Sequence, residues 1–237
     1  MGSLANEDRR RYRRIMSTPS NERTKTESEN VDFDIEIPEN IPPVLVAIAA
    51  LYGLLLLLGI GWVWVSGESL LESSGPSELL IETGGAIIVA LLMICIIGVA
   101  WKYTGIFQHI ESTFAERLTD LSGGGVVLLA LLSSISEEIL FRGALQPSIM
   151  SIAGTTGGLI ITSLIFGLLH TGPNRRYFGW TAFAVLSGLV LGAAFIWTGN
   201  IIVPILIHFI INAINMWLII TRRKWHSYQA DIVLGPR

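Results

Sequence analysis

Residues 131–145 have the sequence LLSSISEEILFRGAL, in which two adjacent glutamates, Glu137 and Glu138, and one arginine, Arg142, interrupt an apolar segment. Ionisable side chains inside membrane-spanning segments cost about 2.5–3.5 kcal/mol each on insertion scales, and they usually mark an ion, proton or substrate site. The stretch therefore predicts a polar site placed within a membrane.

The composition of the whole chain supports a membrane protein. Its 237 residues are 51% hydrophobic and only 15% charged, and the mean hydropathy of +0.58 is too high for an ordinary soluble domain. We expect an all-α, polytopic helical bundle of about six spans. A re-entrant or in-plane helix is the alternative to a straight span after Arg142. The predicted spans are about 44–65, 84–101, 125–145, 155–170, 178–198 and 201–220.

The distribution of basic residues predicts the orientation of the spans. Lysines and arginines are frequent before the first span and after the last, and Arg175 and Arg176 lie between the fourth and fifth, whereas 66–83 has none. Because basic loops stay in the cytoplasm, both termini should be cytoplasmic, in a bacterial inner membrane or the endoplasmic reticulum. The net charge of −3 is too small to indicate a nucleic-acid partner.

Four regions follow from these patterns. Residues 1–43 should be a disordered, arginine-rich cytoplasmic tail, and 44–124 should hold the first two spans and an interfacial amphipathic helix between Tyr103 and Asp120. Residues 125–220 should form the functional core, followed by a basic cytoplasmic tail at 221–237.

The two glutamates are expected to have different roles. Glu138 and Arg142 are four residues apart, so their side chains share one helical face and can form an ion pair. Glu137 points about 100° away from Glu138 and has no intrahelical cation. This arrangement leaves Glu137 available as a general base.

Two more polar motifs occur in later spans. Phe166 precedes His170 by one helical turn, so its ring can pack against the imidazole and orient it. His208 and Asn212 share one face of the last span, where both side chains can donate hydrogen bonds toward one point, as an oxyanion site requires.

The same residues allow other chemistry. Glu137, His170 and His208 are a carboxylate and two imidazoles from three segments, a set that can ligate zinc with one position open for water, although no His-Glu-x-x-His motif is present. The titratable groups also suit a proton relay in a proton-coupled transporter. A non-catalytic membrane scaffold could use the polar residues only to hold helices together.

The three motifs together resemble the CAAX protease and bacteriocin-processing enzyme family of intramembrane endopeptidases, over about residues 120–220. The resemblance is carried by Glu137-Glu138-x-x-x-Arg142, Phe166-x-x-x-His170 and His208-x-x-x-Asn212. It implies that Glu137 and His170 activate water, and that His208 and Asn212 stabilise the oxyanion.

The resemblance further implies that Glu138 and Arg142 support the catalytic carboxylate or the substrate. Water activation by Glu137 and His170 would require no cofactor, and zinc is the alternative. The expected partners are the lipid bilayer and a peptide or protein substrate, which in some family members is a prenylated CAAX C-terminus. Other members are linked to bacteriocin immunity or act as scaffolds, so the motifs predict the reaction better than the substrate.

Straight spans conflict with this site. At about 1.5 Å rise per residue, His170 at the end of the fourth span would lie more than about 10 Å deeper than Glu137 and His208. The segment 142–157 is rich in glycine and contains Pro147, so we expect the simple six-span geometry to fail there.

Overall fold

The computed structural model describes residues 43–71, 75–104, 121–172 and 174–234. Apart from one isolated bridge between Leu71 and Asn200, the regular structure in these ranges is helical, which confirms the all-α class. The helices are α1 (Pro43–Ser66), α2 (Pro76–Thr104), α3 (Gly123–Glu138), a π-helical segment (Ile139–Leu145), α4 (Gln146–Leu169), a 3₁₀ turn (Arg175–Tyr177), α5 (Phe178–Thr198) and α6 (Ile202–Leu234).

Five helical segments of the described chain are long and apolar enough to cross a membrane. They are Leu45–Ser66, Pro76–Tyr103, Gly123–Leu169, Phe178–Thr198 and Ile202–Arg222. The third has 47 residues and contains both the third and the fourth predicted spans. The predicted disordered tail before Pro43 and the predicted interfacial helix beyond Thr104 lie outside the described residues.

The outer surface of the bundle is apolar, and its interior contains buried ionisable residues. Leu57 of α1 and Ile81 of α2 are 70% and 75% exposed, whereas Glu138 and Arg142 are fully buried. Soluble monomers rarely expose apolar surface of this extent, because water does not solvate it favourably. The helices are therefore arranged as in a multi-pass membrane protein, with apolar side chains toward lipid.

The chain reverses direction inside the third segment, at Gly154. This residue has φ 72° and ψ 170°, a region of backbone space that is open essentially only to glycine. A Cβ placed on Gly158 would lie 2.8 Å from the backbone nitrogen of Met150, although residues eight apart in a straight helix are about 12 Å apart. The backbone after Gly154 thus packs back against the backbone before it.

This reversal corrects the depth of His170. Glu137 lies 17 residues before Gly154 and His170 lies 16 residues after it, so both are about 25 Å along the helices from the turn. Helical residues at equal distances from a hairpin lie at one level. The depth calculated from straight spans was wrong because α4 begins directly after the π-helical segment and continues to Gly154. The turn lies within 142–157, the segment where the straight geometry was expected to fail.

Close backbone packing joins α4 to α5. A Cβ on Gly188 would lie 3.0 Å from the Cα of Ser163, and one on Gly167 would lie 3.0 Å from the nitrogen of Val185. Small residues permit this approach between membrane helices. The other side of α5 joins α2 and α6 in an apolar core whose fully buried members are Ala90, Leu191 and Ile207.

Connections without basic residues meet at one end of the bundle. The nitrogen of Ile201, which follows the α5–α6 turn, donates to the carbonyl of Leu70, between α1 and α2, and Asn200 donates to Glu82 over 2.9 Å. At the other end of α6, the guanidinium carbon of Arg222 lies 4.0 Å from the ring centroid of Trp101. Trp101 directly precedes Lys102 near the end of α2.

Candidate active site

Glu137 and His170 face each other across the mouth of a cavity. The Oε2 atom of Glu137 is 3.7 Å from Nε2 of His170, and the side chains are 10% and 25% exposed. The separation exceeds hydrogen-bonding distance, so the two groups converge without satisfying each other. Oε2 of Glu137 has no hydrogen-bond partner among the described residues.

A backbone hydrogen bond fixes the orientation of His170. Its Nδ1 atom is 2.7 Å from the carbonyl oxygen of Phe166, one turn earlier in α4. Because a carbonyl oxygen only accepts, Nδ1 carries the proton. In the neutral ring, Nε2 then holds a lone pair directed toward Glu137, so both groups can accept a proton from one water molecule.

Phe166 occupies the centre of the site. Its ring is 2% exposed and lies 4.5 Å, centroid to centroid, from the His170 ring. The Arg142 guanidinium lies over the same ring at 4.6 Å, and the His208 ring is 6.0 Å away. The sequence motif anticipated the contact with His170, but the contacts with Arg142 and His208 depend on the tertiary fold.

Glu138 connects Arg142 and His208. Its Oε1 atom accepts from Nη1 of Arg142 at 3.0 Å and is 2.7 Å from Nδ1 of His208. Arg142 also donates from Nη2 to the carbonyl of Gly188 on α5, at 3.2 Å. A buried guanidinium and carboxylate are stable only when paired in this way. Glu138 joins the π-helical segment to α6, and its partner Arg142 adds the link to α5.

The π-helical segment begins directly after Glu138. The backbone nitrogen of Gln146 donates to the carbonyl of Phe141, five residues earlier, which is the hydrogen bond of a π-helix. The sequence pattern predicted a regular α-helix here. π-bulges have no clear signal in the spacing of apolar residues, and they recur at functional sites.

Asn212 lies beside Ser133, which the motifs did not single out as a partner. The Nδ2 atom of Asn212 donates to Oγ of Ser133 at 3.1 Å, and the Ser133 hydroxyl donates to the carbonyl of Ala130 at 3.1 Å. Tyr52 of α1 lines the same cavity as Glu137 and Asn212. A single tyrosine in an apolar span carries no sequence signal for this position.

One cavity of about 320 Å³ joins these groups. Its polar lining includes the four residues predicted to be catalytic, Glu137, His170, His208 and Asn212. The structure thus brings together residues from three segments of the chain. The remaining wall is mainly apolar and aromatic, and it includes Trp180, Phe183, Leu191, Ile211, Met216 and Ile219.

The predicted metal ligands do not form a metal site in this arrangement. No three histidine, cysteine, aspartate or glutamate side chains within the described ranges lie close enough together to hold a metal ion. Both site histidines use Nδ1 for a hydrogen bond and keep Nε2 available, as zinc-binding histidines do. However, Glu137 and His170 have no third ligand of these types within reach in the part of the chain that the structure describes.

Comparison with known proteins agrees with the motifs. Residues 122–214 match the family model described as Type II CAAX prenyl endopeptidase Rce1-like, which confirms the resemblance, and the match contains all seven motif residues. The uncharacterized protein YpbD of Bacillus subtilis (strain 168) is 40% identical over 92 residues, which are 38% of this chain and 42% of that protein. The chain thus matches less than half of this relative's length. No solved structure matches the chain.

Proposed function

We propose that this chain, similar over residues 122–214 to type II CAAX prenyl endopeptidases of the Rce1-like family, is an intramembrane endopeptidase. The observation that carries the proposal is the convergence of Glu137 and His170, 3.7 Å apart, in the cavity that His208 and Asn212 also line. A general base, a second proton acceptor and hydrogen-bond donors in one partly enclosed site are the groups that peptide hydrolysis requires.

In the proposed first step, a water molecule donates its protons toward Glu137 Oε2 and His170 Nε2. Glu137 takes one proton while the water oxygen forms a bond to the carbonyl carbon of the scissile peptide. The carbonyl π electrons move onto the oxygen, giving a tetrahedral intermediate with one negative charge. His170 holds the remaining hydrogen of the attacking water, and Phe166 keeps the imidazole in place.

The negative oxygen is stabilised from α6. Asn212 has a second N–H on Nδ2 besides the one that it donates to Ser133, and this N–H is available for the oxyanion. His208 donates from Nε2 when its ring carries two protons, because Nδ1 is committed to Glu138. Glu138 is then the counter-ion of that imidazolium, which gives Glu138 a role through His208 rather than through Glu137.

Collapse of the intermediate completes the reaction. The oxyanion electrons reform the carbonyl, the carbon–nitrogen bond breaks, and Glu137 returns its proton to the leaving amine. The products are a carboxylic acid and an amine, no covalent enzyme intermediate forms, and no cofactor takes part.

The cavity wall supports a lipid-associated peptide as the substrate. Helices α5 and α6 pack tightly near their connecting turn, through Leu191, Val203 and Ile207. Further from the turn the cavity lies between them, with Trp180 and Phe183 on one side and Ile219 on the other. An apolar cleft next to a polar catalytic end suits a peptide that carries an apolar or prenyl group.

The charge pattern supports a cytoplasmic opening. The cavity includes His170, Thr171 and Tyr177 around the connection that contains Arg175, and the connections without basic residues meet at the opposite end of the bundle, where Leu70 bonds Ile201. In a Cys95→Ala background, which removes the only cysteine, Arg175→Cys should react with a membrane-impermeant maleimide only from the cytoplasmic side. Labelling from the other side would reverse the orientation.

Cleavage of a quenched-fluorescent CAAX peptide by the purified protein in detergent tests the proposal. The wild-type protein and Glu68→Gln, which makes the same chemical change at an exposed loop glutamate, should cleave the peptide, and Glu137→Gln should not. The prenylated and unprenylated forms of the peptide are compared directly, and a chelator is added to one series. Loss of wild-type cleavage with the chelator would require a metal. Full activity of Glu137→Gln would contradict the proposed base, and an inactive wild-type protein would favour a scaffold.

A further inference from the structure

The hydrogen bonds of Ser133 determine which way the Asn212 amide faces. Ser133 is 1% exposed, and its hydroxyl proton is used on the carbonyl of Ala130, which can only accept. Its oxygen can therefore only accept from Asn212. This requires the nitrogen of the amide, not its oxygen, to face Ser133.

This orientation matters for the reaction that we propose. An amide nitrogen bonded to Ser133 keeps a second N–H to donate, whereas the reversed amide would turn its oxygen lone pairs toward the same region. An oxyanion is stabilised by donors that are already oriented before charge develops. A misplacement of about 1 Å at such a group can cost about 100-fold in rate.

Tyr52 borders the same cavity from outside the family-matched segment. It lines the cavity with Glu137 and Asn212. With its proton donated to Ala130 and one lone pair accepting from Asn212, the Ser133 oxygen keeps a second lone pair that the Tyr52 hydroxyl can use as an acceptor. Helix α1, which packs against α3 and the π-helical segment, thereby contributes a polar group to the site.

We propose that Ser133 and Tyr52 are positioning residues that hold the Asn212 amide with its N–H toward the substrate, so that α1 forms part of the active site. The inference rests on the proposed endopeptidase function. Neither side chain takes part in bond making or breaking; each acts only through Asn212.

Steady-state kinetics with matched variants test this. Ser134 is the control, because it is also buried and also donates to the Ala130 carbonyl, at 2.7 Å, whereas the Asn212 amide donates to Ser133. Ser133→Ala should lower kcat by about 10-fold to 100-fold with little change in KM, and Tyr52→Phe should lower kcat less. Ser134→Ala should retain wild-type kcat, and Ser133→Thr, which keeps the hydroxyl, should retain most of it.

The double variant separates positioning from general destabilisation. In an Asn212→Ala background, Ser133→Ala and Tyr52→Phe should cause no further loss of kcat, because the group that they position is absent. Multiplicative losses in that background would overturn the inference. The inference would also be overturned if Ser133→Ala and Tyr52→Phe kept the wild-type kcat while Glu137→Gln was inactive. That result would leave the endopeptidase function intact. If Ser133→Ala does not fold, Tyr52→Phe alone decides the outcome by the same criterion.

Discussion

His208 donates a 2.7 Å hydrogen bond from Nδ1 to Oε1 of Glu138, a residue 70 positions earlier in the chain. The same carboxylate oxygen accepts from Arg142 at 3.0 Å, and both members of that pair are fully buried. The second glutamate of the motif thus connects the helix of the first motif to the helix of the third. Substitutions of Glu138 can therefore change two properties, the stability of the bundle and the protonation of His208.

Removing one member of the buried pair should destabilise the protein. Arg142→Ala leaves the Glu138 carboxylate without its closest cation, and Glu138→Ala leaves a buried guanidinium uncompensated. Each should lower the free energy of unfolding by about 3–5 kcal/mol, measured by thermal unfolding in detergent. Glu68→Ala, at an exposed position, serves as the control. An Arg142→Ala protein as stable as the wild type would show that the ion pair does not hold the helices together.

Glu138→Gln should lower activity as well as stability, because the substitution also removes the counter-charge of the buried Arg142. A glutamine oxygen can still accept from Arg142 and His208, but it has no charge to stabilise a doubly protonated His208. We expect a lower kcat at unchanged KM, because the effect arises only when the oxyanion forms. An unchanged kcat would indicate that His208 does not act as a charged donor.

The reversal at Gly154 should tolerate no side chain. Its φ of 72° and ψ of 170° are strained for any residue with a Cβ, at about 1–3 kcal/mol. Gly154→Ala should lower stability by that amount and reduce peptidase activity, because the turn sets the level of His170 relative to Glu137. Gly98→Ala is the control, since a Cβ there meets nothing within 4 Å. Equal stability and activity of the two variants would contradict the role of the turn.

Filling the apolar cleft should impair the binding of apolar substrates. Ile219 lines the cavity on α6, so Ile219→Trp should raise KM for a prenylated peptide while the rate at saturation changes little. Leu186→Trp, at a position that is 40% exposed on α5 and not part of the cavity lining, should behave as the wild type. If Ile219→Trp leaves KM unchanged, the substrate does not occupy this cleft.

Much of the fold and the site could be predicted from local sequence. Long apolar runs identify membrane helices because lipid imposes a minimum length, and paired polar residues inside those runs are too costly to be incidental. The spacing of Glu138 and Arg142 predicted their ion pair. Glu137, His170, His208 and Asn212 were all predicted as site residues, and all four line the cavity.

The remaining features depend on tertiary structure. Gly154 makes the reversal, but residues 142–157 contain other glycines as well. The sequence therefore located the irregular segment but not the turn within it. The contact of Glu138 with His208 depends on how α6 packs against α3, which no spacing encodes. Tyr52 belongs to an otherwise apolar helix, and only its packing beside Ser133 gives it a place in the site.

The measurement that tests the central claim most directly is a double-variant cycle on Glu137 and His170, using kcat/KM for the CAAX peptide. If the two side chains activate one water molecule together, Glu137→Gln and His170→Gln should each lower kcat/KM by about 100-fold to 10,000-fold. The double variant should lose little beyond the more severe single variant, because residues that act as one unit are not additive. Losses that multiply in the double variant, or a His170→Gln protein with wild-type kcat/KM, would contradict a shared water.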